Sequence, residues 1–417
     1  MSKDLKQGGV GEYIYSIFKR EQGVIPFLLV LLLQSLAYGF YKGIQDNYLA
    51  QIVSVNAFER GVLEFFRELP GLLLIFILAF LCRFSEAKIF KIGIFIMALG
   101  ALGIAFSSPT IVPVFFFITF FSLGEHIALP MKSTIALEHS REGKDGAALG
   151  MMNSIVNAGN VASLLIVSLS FFIFRKLGTS ASIGSFKITY LIVALLTGLS
   201  LVISGSMKSS RVNEGRRQKL YFRKKYTKFY MLEVFYGARK QIFLTFAPYV
   251  IILHYGADTS TISLLLAVSA LCSIFCSPII GKLIDKLGYK VIMVADTIVL
   301  VFVCILYGFS HRIFPPEVAF IVVCINFVLD TVISLASMAT NVYVRNISDS
   351  QEELTATLTT GISVNHLISI IIAFFGGYIW QMMGIELLFI ISAVLGLLNS
   401  LFAATIPSPK KKVALNS

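Results

Sequence analysis

Apolar runs long enough to cross a bilayer recur along the whole of this 417-residue chain, and nothing else limits its fold as tightly. A helical span needs about 20 apolar residues to match the hydrocarbon thickness. In lipid every backbone polar group must be bonded internally, so only helices or closed barrels cross. Counting runs broken by polar clusters gives twelve helical spans, with limits at 24–43, 60–82, 89–107, 110–136, 146–174, 185–207, 229–255, 258–280, 290–310, 316–344, 353–381 and 385–406. Composition agrees: 56% hydrophobic residues, 14% charged residues and 36 phenylalanines place the bulk of the chain in lipid.

Charge sets the expected topology. With the N-terminus inside, inner segments hold 26 of the 35 Lys and Arg and outer segments hold six, the positive-inside bias. Both termini are therefore expected in the cytosol. The net charge of +12 is accounted for by that bias and by attraction to anionic lipid, and it calls for no nucleic acid. The first 22 residues carry Lys3, Lys6, Lys19 and Arg20 and lack the apolar core of a secretory signal. They read as a cytosolic arm with an amphipathic helix around Tyr13–Phe18. The densely basic stretch Lys208–Lys228 separates six spans from six. The expected organisation is an arm at 1–22, a six-helix bundle at 23–207, a linker at 208–228, a second bundle at 229–406 and a cytosolic tail at 407–417. Cys82, Cys272, Cys276, Cys304 and Cys324 all lie in or beside apolar runs, with no His or further Cys at ligand spacing. No disulfide, metal or other cofactor is expected.

The halves carry traces of a repeat. At an offset of 205 residues, Gln34 falls on Arg239, Glu125 on Asp330 and Asn160 on Asn365, all deep polar positions. The inner loop after the eighth span reads Gly281-Lys-Leu283-Ile-Asp285-Lys-Leu-Gly288-Tyr-Lys290. This resembles the signature loop of the major facilitator superfamily, in which glycines allow a tight turn and acid and bases hold two helix ends together. The equivalent loop of the first half, Ala79 to Lys88, is eroded: it keeps Leu81 and Lys88 but has Arg83 for the acid and Glu86 for the second glycine. The passage Gly376-Gly377, Gly384 and Phe389 resembles that family's turn between helices eleven and twelve. The fold implied is an all-α membrane protein of two pseudo-symmetric six-helix bundles. The resemblance also implies that spans one, four, seven and ten line a central cavity.

Polar residues form a belt near mid-depth. They are Gln34 and Tyr38 in span one; Glu64, Arg67 and Glu68 in span two; Glu125 and His126 in span four; and Asn153, Asn157 and Asn160 in span five. Span seven adds Arg239 and Lys240, span ten Asp330, and span eleven Asn365 and His366. Arg239 sits roughly 16 Å inside its run at about 1.5 Å per residue. A cation there costs about 2.5–3.5 kcal/mol and must find a counter-ion, water or a ligand. Adjacent side chains point about 100° apart, so one partner could hardly neutralise both Arg239 and Lys240. Structural readings stand beside these. Arg67 with Glu64 or Glu68 is an ion pair or part of an outer gate near the bend expected at Pro70-Gly71. Glu233 pairs with linker bases, Asp296 touches the Gly281–Lys290 loop, and the three span-five amides bond helix to helix.

The function expected is a secondary active transporter, symporter or antiporter, moving a small polar anionic solute by alternating access. Arg239 or Lys240 meets the anionic group, while Gln34, Tyr38, Asn365 and His366 supply hydrogen bonds. Glu125, His126 or Asp330 couples transport to H⁺. Gating or ion-pair roles fall to Glu64, Arg67 and Glu68 and to Gly281, Asp285, Gly288 and Lys290. A lipid or amphipathic-drug exporter of the same fold, or an uncoupled facilitator, stays open. An enzyme is not expected: Glu125-His126 and Asn365-His366 lie on separate helices without HExxH spacing, and no phosphate-cradling loop occurs. The expected state is a monomer in a bacterial cytoplasmic (inner) membrane, with solute, proton and lipid as its partners.

Overall fold

The second apolar run breaks one turn beyond Pro70. Pro70 has no N–H to continue the helical ladder. The run divides just beyond it into α3 (Ala57–Leu72) and α4 (Leu74–Leu81). The other runs stay helical. The computed structural model describes residues 10–81, 83–178, 182–207 and 222–407, and its regular elements are all helices. Most of the linker, the end of the tail and Cys82 lie outside the described residues. Ten described helical segments are long and apolar enough to cross a membrane. The interrupted pair α3–α4 and the charge-bearing α9 complete twelve, and the chain is an integral, multi-pass membrane protein.

The described helices gather into two units, drawn from residues 1–53 with 73–217 and from 54–72 with 218–417. The first holds α1 (Val10–Ile17), α2 (Val24–Asn47, ending in a π turn at Tyr48–Ile52), α4, α5 (Glu86–Phe106), α6 (Ile111–His139), α7 (Asp145–Lys176) and α8 (Ile183–Ser204). α2 packs between α7 and α8, and α5 between α6 and α8. The amphipathic helix expected at Tyr13–Phe18 is α1. Tyr13 is exposed, whereas Ile17 and Phe18 turn inward to join Val24 and Phe27 in the core. Backbone bonds from Lys19 N to His139 O and from Arg141 N to Ile17 O, both 2.9 Å, staple the arm to the end of α6.

The second unit holds α3, α9 (Thr227–Tyr255), α10 (Thr259–Leu287), α11 (Tyr289–Ile313), α12 (Pro316–Ser334), α13 (Met338–Ile347), α14 (Gln351–Met383) and α15 (Ile385–Ala404). A single 3-10 turn at Leu335–Ser337 links α12 to α13 within the tenth run. α14 packs on both α3 and α9, and α11 on α12 and α15. Thus α3, although N-terminal in sequence, belongs to the unit built mainly from the C-terminal half.

The signature-like loop differs in detail from the expectation. α10 runs unbroken to Leu287, so the connection is Gly288 alone, at φ +85°, a conformation that favours glycine. Asp285 is exposed on the last turn of α10, and neither it nor Lys290 has an ion-pair partner among the described residues. A Cβ at Gly281 would meet nothing within 4 Å, so close packing does not demand that glycine. In the eroded loop Lys88 lies 4.3 Å above the Phe84 ring, so a cation–π contact is made there. Gly376 and Gly377 form no turn: they lie inside α14, and the chain reverses at Gly384, φ +91°.

Candidate functional site

Arg239 and Lys240 occupy neighbouring positions on α9 and meet different surroundings. Side chains on a helix lean toward its N-terminus, which carries the Arg239 guanidinium back over the preceding turn, 5.9 Å from the Tyr236 ring. There its Nη1 donates to Asp296 Oδ2 of α11 at 3.0 Å, and Nη2 lies 3.9 Å from Asp330 Oδ1 of α12. The side chain is only 2% exposed. Arg239, expected to meet the anionic group of a solute, is therefore held by two carboxylates of its own unit. Asp296, expected at the Gly281–Lys290 loop, is one of them. Asp330, expected to carry a proton, is the other.

Lys240 looks a different way. It is half-buried, and it has no hydrogen bond or ion pair with any described residue. Glu233, two turns earlier on α9, lies within its electrostatic reach. Asn365 of α14 donates from Nδ2 to Glu233 Oε2 at 3.3 Å, so Glu233 is engaged there, with no ion pair to a linker base among the described residues. Lys240, Glu233 and Asn365 thus form a polar strip on α9 and α14.

A second cluster ties α3 to α9 and α14. Glu64, 1% exposed, accepts from Arg60 Nη1 at 2.8 Å, Arg67 Nε at 2.9 Å and Gln241 Nε2 at 3.1 Å. Arg67 also donates to Glu68, whose other oxygen accepts from His366 Nδ1 at 2.8 Å. His366, expected among the solute contacts, is in this network. Arg60 and Gln241 were not among the expected site residues, although Arg60 sits one turn before Glu64 and was readable as its i, i+4 partner. The two arginines and two glutamates cancel. Such buried pairs add little net stability but strongly penalise loss of one partner. Glycines bring the backbones together beside this network: a Cβ at Gly61 would fall 2.3 Å from Ala373 O, and one at Gly377 would fall 2.7 Å from Ala57 O. Small residues at four-residue spacing on both helices allow that approach.

In the first unit, Gln34 is buried and donates to Ser200 Oγ of α8, a helix-to-helix bond. Tyr38, one turn on, is half-buried with its ring 6.4 Å from that of Tyr41. His126 is buried, and its Nδ1–H donates to Ser122 O at 2.8 Å. Glu125 is half-buried, with Lys132 of the same helix in electrostatic reach. Lys132 was not among the expected site residues. Asn153 and Asn157 are exposed, whereas Asn160 lies where α2 and α7 touch at Gly39. Of the three pairs related by the 205-residue offset, Gln34 and Arg239 therefore bond to different kinds of partner.

Residues 229–417 match the family model described as Major Facilitator Superfamily. No curated protein sequence matches the chain. Solved structures resemble it in fold. The nucleoside transporter NupG has 14% identity and a TM-score of 0.72, with 91% of this chain and 98% of that one covered. A D-xylose–proton symporter has 14% identity and a TM-score of 0.70, covering 92% and 98%. A POT family transporter in complex with 5-aminolevulinic acid has 13% identity and a TM-score of 0.69, covering 94% and 98%. Residues 229–417 thus match the Major Facilitator Superfamily model by sequence, and over 91–94% of its length the chain shares the fold of these transporters.

Proposed function

We propose that this protein is a secondary active transporter that moves a small polar solute bearing an anionic group by alternating access, coupled to protons. One observation carries the reading: Lys240 is a half-buried cation in a membrane-spanning helix without a hydrogen bond or ion pair among the described residues. Such a group is expensive to hold in a membrane unless water or a ligand meets it. With Arg239 held by aspartates, Lys240 takes the anionic group. Asn365, Gln34 and Tyr38 remain proposed hydrogen-bonding positions. Glu125, His126 and Asp330 are the proposed proton carriers. The fold shared with a D-xylose–proton symporter and a nucleoside transporter supports this class of activity.

The α3 cluster of Glu64, Arg67, Glu68 and His366 is assigned to gating. It must part for α3 to leave α14. Gly288 is assigned to the inner turn, with Gly281, Asp285 and Lys290 flanking it. The Lys and Arg bias supports cytosolic termini, and a bacterial cytoplasmic membrane is the proposed location. The proposed organisation keeps two six-helix bundles joined by the basic linker, acting as a monomer.

A second reading, export of a lipid or amphipathic drug, is favoured by a groove of about 420 Å³ between α10 and α12, lined by Leu265, Cys324, Ile325, Val328, Leu329 and Val332. Proteoliposomes separate the two. Small organic anions should accumulate under an inward proton gradient in wild type and fail to do so in Lys240→Gln. Transport of a fluorescent lipid, with no anion moved, would reverse the choice.

A further inference from the structure

Arg239, Asp296 and Asp330 come from three helices, and two carboxylates face one guanidinium. The side chains are 2%, 11% and 14% exposed, so the surplus negative charge is largely shut off from water. A buried surplus charge is costly, and the usual relief is to neutralise the group by taking up a proton. The bonding is uneven. Asp296 receives a hydrogen bond from Arg239 at 3.0 Å, whereas Asp330 Oδ1 stands 3.9 Å from Nη2, beyond bonding length. Arg239 Nε and Nη2 and Asp330 Oδ1 are buried with no hydrogen-bond partner among the described residues. Among the described residues, the other titratable groups near the triad are Tyr236 on α9 and Cys304 and Tyr307 on α11, and none of them carries the missing positive charge.

We infer that Asp296 and Asp330 together hold one exchangeable proton, carried on Asp330 while Arg239 is bonded to Asp296. When the Asp330 carboxylic acid gives its proton to water it becomes a carboxylate, and an Nη2–H of Arg239 turns to donate to it. The proton returns from water by the reverse step. A sodium ion would lie against the guanidinium and lack the several oxygens that a hard cation gathers. In the transport reading above, on which its role in coupling rests, this places the coupling proton inside the second unit. Asp296, assigned no role by that reading, becomes a co-holder of the proton. Arg239 becomes a positioning residue and not a solute ligand.

The test counts protonated carboxyl groups in purified protein by infrared spectroscopy of the carboxylic C=O band near neutral pH, without any solute. Removing either carboxylate removes the surplus charge, so Asp330→Asn and Asp296→Asn should each lose one carboxyl's worth of band relative to wild type. Arg239→Gln leaves two unpaired carboxylates and should gain one. An unchanged band in all three variants would overturn the inference. Loss of the wild-type band on replacing choline by sodium would overturn it too, making this a sodium site. Absence of solute transport would sink the transport reading and leave this count standing.

Discussion

Replacing Gly61 by alanine drives a methyl group into the backbone of α14. The added Cβ would lie 2.3 Å from Ala373 O and 3.1 Å from Gly377 Cα, where real Cβ atoms keep at least 3.0 Å. The deficit to Ala373 is 3.0 − 2.3 = 0.7 Å, and both opposing atoms are backbone, so no side chain can swing away. The helices must separate. Overpacking of this kind costs about 1–3 kcal/mol, which at 1.4 kcal/mol per decade lowers the closed α3–α14 population by about 5- to 150-fold. The assay places a single reporter at Ala57→Cys, a position 4% exposed beside Gly377, with the native cysteines other than Cys304 replaced. Maleimide labelling there tracks the open population and should speed up by the same factor in Gly61→Ala. Cys304, 1% exposed in α11, should keep its slow rate and so report against global unfolding. Gly377→Ala, whose worst contact is 2.7 Å, should act in the same direction and more weakly. Equal labelling rates in wild type and Gly61→Ala would refute the claim that backbone contact holds α3 on α14.

Other expectations follow from the charged groups. Glu64→Gln leaves Arg60 and Arg67 facing each other without the negative charge of their shared carboxylate, a loss worth about 3–5 kcal/mol. Thermal melting should fall, and Glu64→Gln combined with Arg67→Gln should melt higher than Glu64→Gln alone; a still lower melting point would argue against the pairing. Asp330→Asn and Glu125→Gln, tested singly in proteoliposomes, should show which carboxylate couples: the coupling variant keeps solute exchange and loses accumulation driven by a pH gradient. Unimpaired accumulation in both would remove both from the mechanism. Outside the spans, the hydrogen bond from Lys225 Nζ to Asp349 Oδ2 at 2.6 Å holds the lysine pKa above its ordinary 10.5. Its contribution is thus complete at neutral pH and fades only as pH rises past that value. The pair is solvent-exposed, so Asp349→Asn should change melting slightly at low salt and not at high salt.

The spans were legible because lipid demands long apolar runs, and Pro70-Gly71 announced the break in the second one. Which unit α3 joins was not legible. That depends on Gly61, Ala57, Ala373 and Gly377 fitting together, and small residues carry no mark of their partner. Arg239 shows a second limit. Counting residues from the end of a run gives the depth of its Cα, but a long side chain leaning one turn back reaches the shallower Asp296. Asp330 was singled out as a deep acid, yet its neighbour across the bundle depends on which faces of α9, α11 and α12 meet. Within the passage from Gly376 to Phe389 the turn falls at Gly384 alone, for a related reason. Glycine pairs mark turns and packing notches alike, and only the uninterrupted helix to Met383 tells them apart.

The proposed solute site rests on Lys240, and binding affinity tests it most directly. Small carboxylates and their neutral methyl esters are titrated into purified wild type and Lys240→Gln by calorimetry. A charge-assisted hydrogen bond contributes about 1.5–3 kcal/mol, so the account predicts that the carboxylate, but not its ester, loses about 10- to 150-fold in affinity on substitution. Equal binding of a carboxylate by both proteins, or an ester bound as tightly as its acid by wild type, would contradict it.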